Sequence, residues 1–571
     1  MRFTNSKRAG RIAACTALAL SAGMILAGPA SADEPAPRPS VKKVERSFTP
    51  PQLTHPKQDS ARSGAAAAGA AASLSLSDLD LDGYDDVIYR AIDGELYSNA
   101  SESAFDLMYR EYDVAKDIIP IGDQGGYDAQ PEVLALSEDG TLSLYADAGV
   151  GGSGDLHVVG GGWQVYNKIM SPGDVNNDGF ADVVARTKDG QLFLYLATGD
   201  LDKPFGTRIS VGGGWGVYDQ LVGTGDVNGD GLADLYARDT LTGNLYFYTG
   251  TGTMSSPFAG RKLIGGGWGT YNQVVNWGDG VLLARVGSGA EAGTFYTYAI
   301  NANGTLASRE RLGEVGDGVG VVQLSGGGSN PHTGKNSVVG RDSSGALYMY
   351  LGMTDGTLSS RSKFSEADTY SGIDFTNTSS FNSDNFSDIA EVWDWNNNQL
   401  WIDTSPIGNG WGVYNTLVGP GDLSGDGKAD LLARDRSGVL YLYKGNGQGT
   451  AFAGRIRVGG GWGGFNKLLG AGDYTGDGRA DLLARTTGGE LFLYPGSGNP
   501  ITPFKARVSI GTGWNTYKYL TAPGDLNADG KADILGVTST GDLYRYLNTT
   551  PGKFSGRSKI GYGFGVYNSM S

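Results

Sequence analysis

The sequence predicts an all-β fold, a β-propeller made of about ten four-stranded units. A strand-turn-strand phrase, clearest at Ala433-Arg434-Asp435-Arg436-Ser437-Gly438-Val439-Leu440-Tyr441-Leu442-Tyr443, can be followed through Arg90, Ser137, Arg186, Arg238, Arg285, Arg341, Trp393, Arg485 and Val537. Nine steps over 447 residues set a period of about 50, and hence ten units. The 94 glycines call for many tight turns. An acidic loop recurs at a fixed place in the unit, directly before an apolar strand.

One full unit starts at Phe465 and reads as four short strands, 465–469, 480–485, 490–494 and 506–510, separated by Gly-rich turns. The third alternates in character, as a half-buried strand does. No such unit can bury its own faces, so neighbours must stack. The last unit ends in Gly561-Tyr562-Gly563-Phe564-Gly565-Val566-Tyr567-Asn568, a match to Gly410-Trp411-Gly412-Val413-Tyr414-Asn415. The first unit begins near Ser73 and lacks this strand, so the C-terminal strand is expected to complete the N-terminal blade and hide its edges. Ten blades exceed the four to eight usual in one ring. Residues 312–322 are a degraded copy of the closing strand placed midway, which favours two five-bladed rings over 73–322 and 323–571. The alternative is one larger ring of seven or eight blades with extra units.

The recurring loop has the pattern of a calcium site. In Asp422-Leu423-Ser424-Gly425-Asp426-Gly427-Lys428-Ala429-Asp430 the oxygen-bearing side chains occupy positions 1, 3, 5 and 9, with Gly at position 6 and a backbone carbonyl, that of Lys428, available at position 7. A hard cation takes six to eight oxygens at about 2.3–2.6 Å, and alternate residues of a tight loop can point inward to supply them. Counterparts are Asp78, Asp80, Asp82, Tyr84 and Asp86; Asp174, Asn176, Asp178, Phe180 and Asp182; and Asp226, Asn228, Asp230, Leu232 and Asp234. In the second half come Asp473, Thr475, Asp477, Arg479 and Asp481, then Asp525, Asn527, Asp529, Lys531 and Asp533. A weaker copy holds Ser380, Asn382, Asp384 and Asp388, with Asn385 where Gly is expected, and the units near Asp123, Asp279 and Ser329 have lost the pattern. Asp-Gly alone marks a tight turn. Six copies keeping Asp at positions 1, 5 and 9 ask for more, since a turn needs no acid at position 9. About six Ca2+ sites are expected, calcium suiting an all-protein oxygen cage better than magnesium. Helix-loop-helix sites do not fit, because the Glu at position 12 is missing.

The chain opens with a secretory pattern: Arg2, Lys7, Arg8 and Arg11, an apolar run over 12–27, and Ala30-Ser31-Ala32 as the cleavage site. The one cysteine, Cys15, lies inside it, so a mature chain has no disulfide to use. Its removal takes four positive charges and no negative ones, moving the formal charge from −16 to −20. Six cations would offset much of that. Such a charge disfavours nucleic acid and anionic membrane surfaces, and no later apolar run approaches the roughly 20 residues that span a bilayer. Residues 33–72, rich in Pro, Ala and Ser, read as a flexible tether. A secreted, extracellular monomer is expected.

The loop Gly-Asp-Val-Asn-Gly-Asp-Gly-Leu-Ala-Asp (225–234) and its copies resemble the FG-GAP or VCBS repeats of integrin-like propellers. That resemblance implies calcium in the loops. The other half of the unit, Val458-Gly459-Gly460-Gly461-Trp462-Gly463-Gly464-Phe465-Asn466, is similar to the G-G-W strand of tachylectin-type five-bladed lectins, which implies sugar pockets between blades. The repeated Trp163, Trp215, Trp268, Trp411, Trp462 and Trp514 then have two open readings, inter-blade packing alone or packing with stacking contacts to a sugar. Catalysis has thin support. Of the histidines, His55 falls in the tether and His157 and His332 in irregular places, and there is neither a G-x-S-x-G elbow nor a zinc-protease pair. The expectation is a calcium-binding, lectin-like module for glycans or a cell-surface polymer. A protein-binding adhesion scaffold is the alternative, and a polysaccharide hydrolase or lyase a more distant one.

Overall fold

A computed structural model of the chain describes residues 53, 55, 74–90, 96–100, 105–106, 115–125, 130–137, 140–150, 154–287, 290–312, 323–324, 335–353, 355–383 and 386–571. The secretory segment and most of the tether lie outside them. Among the described residues the chain forms ten four-stranded antiparallel sheets and one two-stranded hairpin. The unit at Phe465 is typical, with strands Phe465–Gly472, Asp481–Thr486, Leu491–Tyr494 and Val508–Gly511 laid side by side in chain order. The first strand runs three residues further than its sequence suggests. Gly470 falls in that extension because a Cβ there would stand 2.6 Å from Pro420 Cα of the neighbouring sheet. Innermost strands converge too closely there for a side chain.

Five sheets surround a nearly filled centre of about 40 Å³, lined by Ile88, Pro120, Ser171, Val222 and Val275, one residue from each. The other five surround a much larger channel of about 440 Å³, lined by Thr376, Val418, Leu469, Thr521 and Ser569. The N-terminal sheet is completed by Gln323–Leu324, which pairs with Tyr89 and Arg90. The C-terminal strand Tyr567–Met570 pairs instead with Ser337–Asp342. This corrects the expectation that the C-terminal strand completes the N-terminal blade, and the reason is that a segment midway along the chain already holds that edge.

The core lies between sheets. Leu469, Leu483 and Leu493 of one sheet pack on Trp514, Tyr517 and Ile534 of the next. The arginine of the repeated phrase ties the two together. Arg485 Nη1 donates to the carbonyls of Trp514 and Tyr517, at 3.0 and 3.1 Å, and Arg434 does the same to Trp462 and Phe465. Where Val537 replaces arginine, the Tyr519 hydroxyl donates to the Tyr567 carbonyl at 2.8 Å. The tether is not free throughout. Leu53 joins the first core, His55 is buried with Nε2 3.0 Å from the Trp277 carbonyl, and Asn99 Nδ2 donates to the Leu53 carbonyl. Composition over 33–72 hides these two anchors. Among the described residues helix is confined to short 3-10 turns and Trp395–Asn398, and no helix there is long and apolar enough to cross a membrane.

Candidate functional site

The six stronger acidic loops are wired alike. Asp422 accepts from the backbone N–H groups of Gly425, Asp426 and Gly427 at 2.6, 3.1 and 2.9 Å, and Asp426 accepts from Lys428 at 3.2 Å. Asp174, Asp226, Asp473 and Asp525 hold their loops through equivalent bonds. The residue at position 2 is an apolar anchor: Leu79, Val175, Phe381, Leu423, Tyr474 and Leu526 are all buried. The glycine at position 6 is left-handed, with φ of +85° at Gly427. So is position 4, even where it is Leu81, Asn177 or Ala528, at φ of +60°, +59° and +54°.

Position 9 has a duty that the sequence reading missed. Asp481 Oδ2 accepts from Tyr474 and Thr475 at 2.8 and 2.9 Å, while Oδ1 accepts from the Gly496 N–H at 2.7 Å, beyond the third strand. Asp182, Asp234 and Asp533 reach Ala197, Gly250 and Asn548 in the same way. The acid at position 9 therefore ties loop to sheet whether or not a cation is bound, and its recurrence is weaker evidence for metal than the pattern suggests.

The first loop nevertheless fits a cation. Ligand oxygens of Asp78, Asp80 and Asp86 all lie within 4.8 Å of one another. Burial pushes the Asp86 carboxyl up to about 8, with the charges of Asp80, Asp78 and Asp82 adding to the effect. Asp182 and Asp234 are raised to about 7 by burial and their loop neighbours, and Asp430, Asp481 and Asp533 are raised strongly for the same reasons. Carboxylates crowded and desolvated in this way favour a bound cation.

The loops divide into two kinds at position 5. Among the described residues no basic side chain pairs with Asp82, Asp178 or Asp230. In the second half Lys444 Nζ sits 2.7 Å from Asp426, Arg479 and Lys505 sit 2.9 and 3.1 Å from Asp477, and Lys531 sits 3.6 Å from Asp529. Position 7 foreshadows this division: Tyr84, Phe180 and Leu232 give way to Lys428, Arg479 and Lys531. In the weaker copy Phe381 N–H donates to Asp388 and Ser380 to Asn382, while Asp384 and Asn385 lie outside the described residues, as do Ser329 and His332.

Two second-half loops also face the first five sheets. Asn167 Nδ2 donates to the Asp477 carbonyl at 3.3 Å, Asn272 to that of Asn527, and Arg479 pairs with Asp189 at 2.7 Å. A methyl added at Gly478 would meet Asn167 Cβ at 2.6 Å, whereas one at Gly179 meets nothing within 4 Å; both glycines have positive φ. Gly179→Ala is expected to cost about 1–2 kcal/mol for the left-handed backbone. Gly478→Ala is expected to cost more, with urea midpoints giving the comparison. Equal losses would show that the contact with Asn167 gives way freely.

The repeated tryptophans start 3-10 turns capped by a left-handed glycine. Trp163, Trp268, Trp411, Trp462 and Trp514 keep only 6–8% of their surface, while Trp215 is half-buried. Each packs on a tyrosine, from Tyr195 to Tyr546, with ring centroids 4.7–5.2 Å apart. What the turns expose is their rim, including Val165, Val217, Val413 and Val566. Alongside runs a motif that the sequence reading did not find. Tyr218 and Tyr248 share a hydroxyl hydrogen bond of 2.5 Å, Arg261 donates to Tyr218 at 3.2 Å, and its guanidinium lies 4.7 Å over Tyr246. Arg208, Arg309 and Arg455 repeat it, and an arginine recurring at or just before the fourth strand was its signal. His157 pairs with Asp202 at 3.0 Å at the surface.

The FG-GAP-like repeat family model matches the chain at three places, 174–237, 422–484 and 473–536, each spanning at least one acidic loop with its flanking strands. Two solved structures overlap it at low similarity. The complex of BBS1N with ARL6DN soaked with lead is 12% identical over 66% of this chain and 94% of that one, with a TM-score of 0.24. The BP39L lectin from Burkholderia pseudomallei is 13% identical over 78% and 99%, with a TM-score of 0.21. Overlaps at such scores leave function to the residues themselves. No curated protein matches.

Proposed function

We propose that this chain of FG-GAP-like repeats is an extracellular, calcium-stabilised module that binds glycans and does no catalysis. The observation that carries the calcium part is the convergence of Asp78, Asp80 and Asp86. The loops ending at Asp182 and Asp234 join it as the stronger sites, since no ammonium or guanidinium competes at position 5. In the loops ending at Asp430, Asp481 and Asp533 a cation must displace a lysine or arginine. When bound, calcium neutralises the crowded carboxylates, while the loop residues hold its cage open and fix the strand that follows.

The glycan part is supported by repetition. Similar glycine-rich turns recur over an aromatic floor around each group of sheets, with Val165, Val217, Val413 and Val566 exposed on the rim at four of them and Thr270, Gly464 and Thr516 in that place at three more, an arrangement suited to weak, multivalent capture of a repeating polymer. Recognition is assigned to that rim, because the buried tryptophan faces offer little room for stacking. The experiment is a glycan array with and without chelator, alongside elemental analysis and melting. Ion contents that fill the three first-half loops before the others are expected, and each site held at a hundredfold its Kd adds about 2.7 kcal/mol. Bound glycans lost on Val413→Asp and Val566→Asp would support the rim. A metal-free chain whose melting ignores EDTA, or an array without signal, would falsify the respective half.

A further inference from the structure

The channel through the second group of sheets holds a pair of lysines that the metal loops and the turns do not use. Lys335 is buried and donates from Nζ to the Asn377 carbonyl at 2.6 Å. Lys467, on the innermost strand Phe465–Gly472, lines the same space and has no hydrogen-bond or ion-pair partner among the described residues. Burial holds Lys335 down to about 7, with the Lys467 charge adding, and holds Lys467 down to about 8, with Arg485 adding. The acids on the lining, Asp374 and Asp394, are exposed, and neither pairs with Lys467. Arg434 is committed to the turn of the next sheet and to Asn415.

The first group of sheets carries a counterpart. Lys168 occupies the repeat position of Lys467, and burial and the Arg186 charge hold its ammonium well below the usual lysine range, with the carboxylate of Asp219 opposing. The repeat position of Asp219 is Asn415 or Asn466 around the larger channel, where no such acid opposes the shift. Asn377 adds a second unmet need. It is 1% exposed, its Nδ2 donates to the Ser337 carbonyl at 2.6 Å, and its Oδ1 has no partner. A buried acceptor left in this state asks for a donor. At about 440 Å³ the channel has the size of a small-molecule site.

We infer that this channel binds a small hydroxylated carboxylate of the uronic acid type, its carboxylate on Lys467 and Lys335 and a hydroxyl donating to Asn377 Oδ1. The inference does not depend on the glycan reading of the turns. The test is calorimetric titration of the full chain with D-glucuronate, D-glucose and acetate. Glucuronate is expected to bind and glucose not, with acetate weaker than glucuronate for want of a hydroxyl. Lys467→Met is expected to weaken glucuronate by at least about tenfold, the loss of one charge-assisted hydrogen bond. Its melting temperature in buffer alone is expected to hold or rise, since a half-buried charge without an ion-pair partner has gone. Should Lys467→Met fail to fold, Lys467→Gln serves the same comparison. The inference is overturned if glucuronate does not bind, if glucose or acetate binds as tightly as glucuronate, or if a folded Lys467 variant binds glucuronate as the parent does.

Discussion

Replacing Asp481 by alanine is expected to destabilise the protein by about 3–6 kcal/mol, even with chelator present. The side chain is fully buried and accepts from three backbone N–H groups, those of Tyr474, Thr475 and Gly496. Alanine leaves all three buried without a partner, and each such orphan costs about 1–3 kcal/mol. Repacking and entering water lower the sum. Asp481→Asn is expected to fall between, because an amide keeps one acceptor where the carboxylate offered two. Urea unfolding in EDTA separates this effect from metal binding. A loss below about 1 kcal/mol there would mean that the acid at position 9 is retained for the cation alone.

Trp462→Ala is expected to cost about 3–5 kcal/mol, the usual penalty for removing a large buried aromatic. Its ring lies 4.9 Å from that of Tyr494, 5.6 Å from Phe465 and 5.7 Å from Phe504, and its carbonyl accepts from Arg434 across the sheet boundary. Thermal and urea unfolding give the size of the loss, and Trp462→Phe should recover part of it. A substitution that leaves stability unchanged would contradict a packing role and reopen the stacking one. Loss of glycan signal in such a variant would by itself say little, because its fold would be compromised as well.

The repeats and the acidic loops were legible in the sequence because they depend on residue type: carboxylates on alternate positions, a glycine where φ must be positive, and apolar alternation in the strand that follows. The left-handed residue at position 4 was not legible, since Leu81 and Ala528 do not announce that conformation and the Asx-type bonds of the first aspartate impose it. The bond from Asp481 to Gly496 was hidden by sequence distance, because it forms only once the third strand has turned back. Lys444 and Lys505 looked like ordinary strand and loop cations, and only the folded sheet brings them to Asp426 and Asp477. Leu53 and His55 were masked by the polar, proline-rich stretch around them, where two contacts leave no periodicity to read.

Strand closure also sets an order of assembly. Tyr89 waits for Leu324, and Gly340 waits for Met570, so each group of sheets is sealed by a partner more than 200 residues later. Contacts of such long range are slow to form. As the chain emerges N-terminus first, the first group has every strand it needs before the second is complete, and the two-residue seal at Gln323–Leu324 can set before the competing strand Tyr567–Met570 arrives. Vectorial synthesis thereby separates two closures that a denatured chain, refolding all at once, has to sort from ten similar edges.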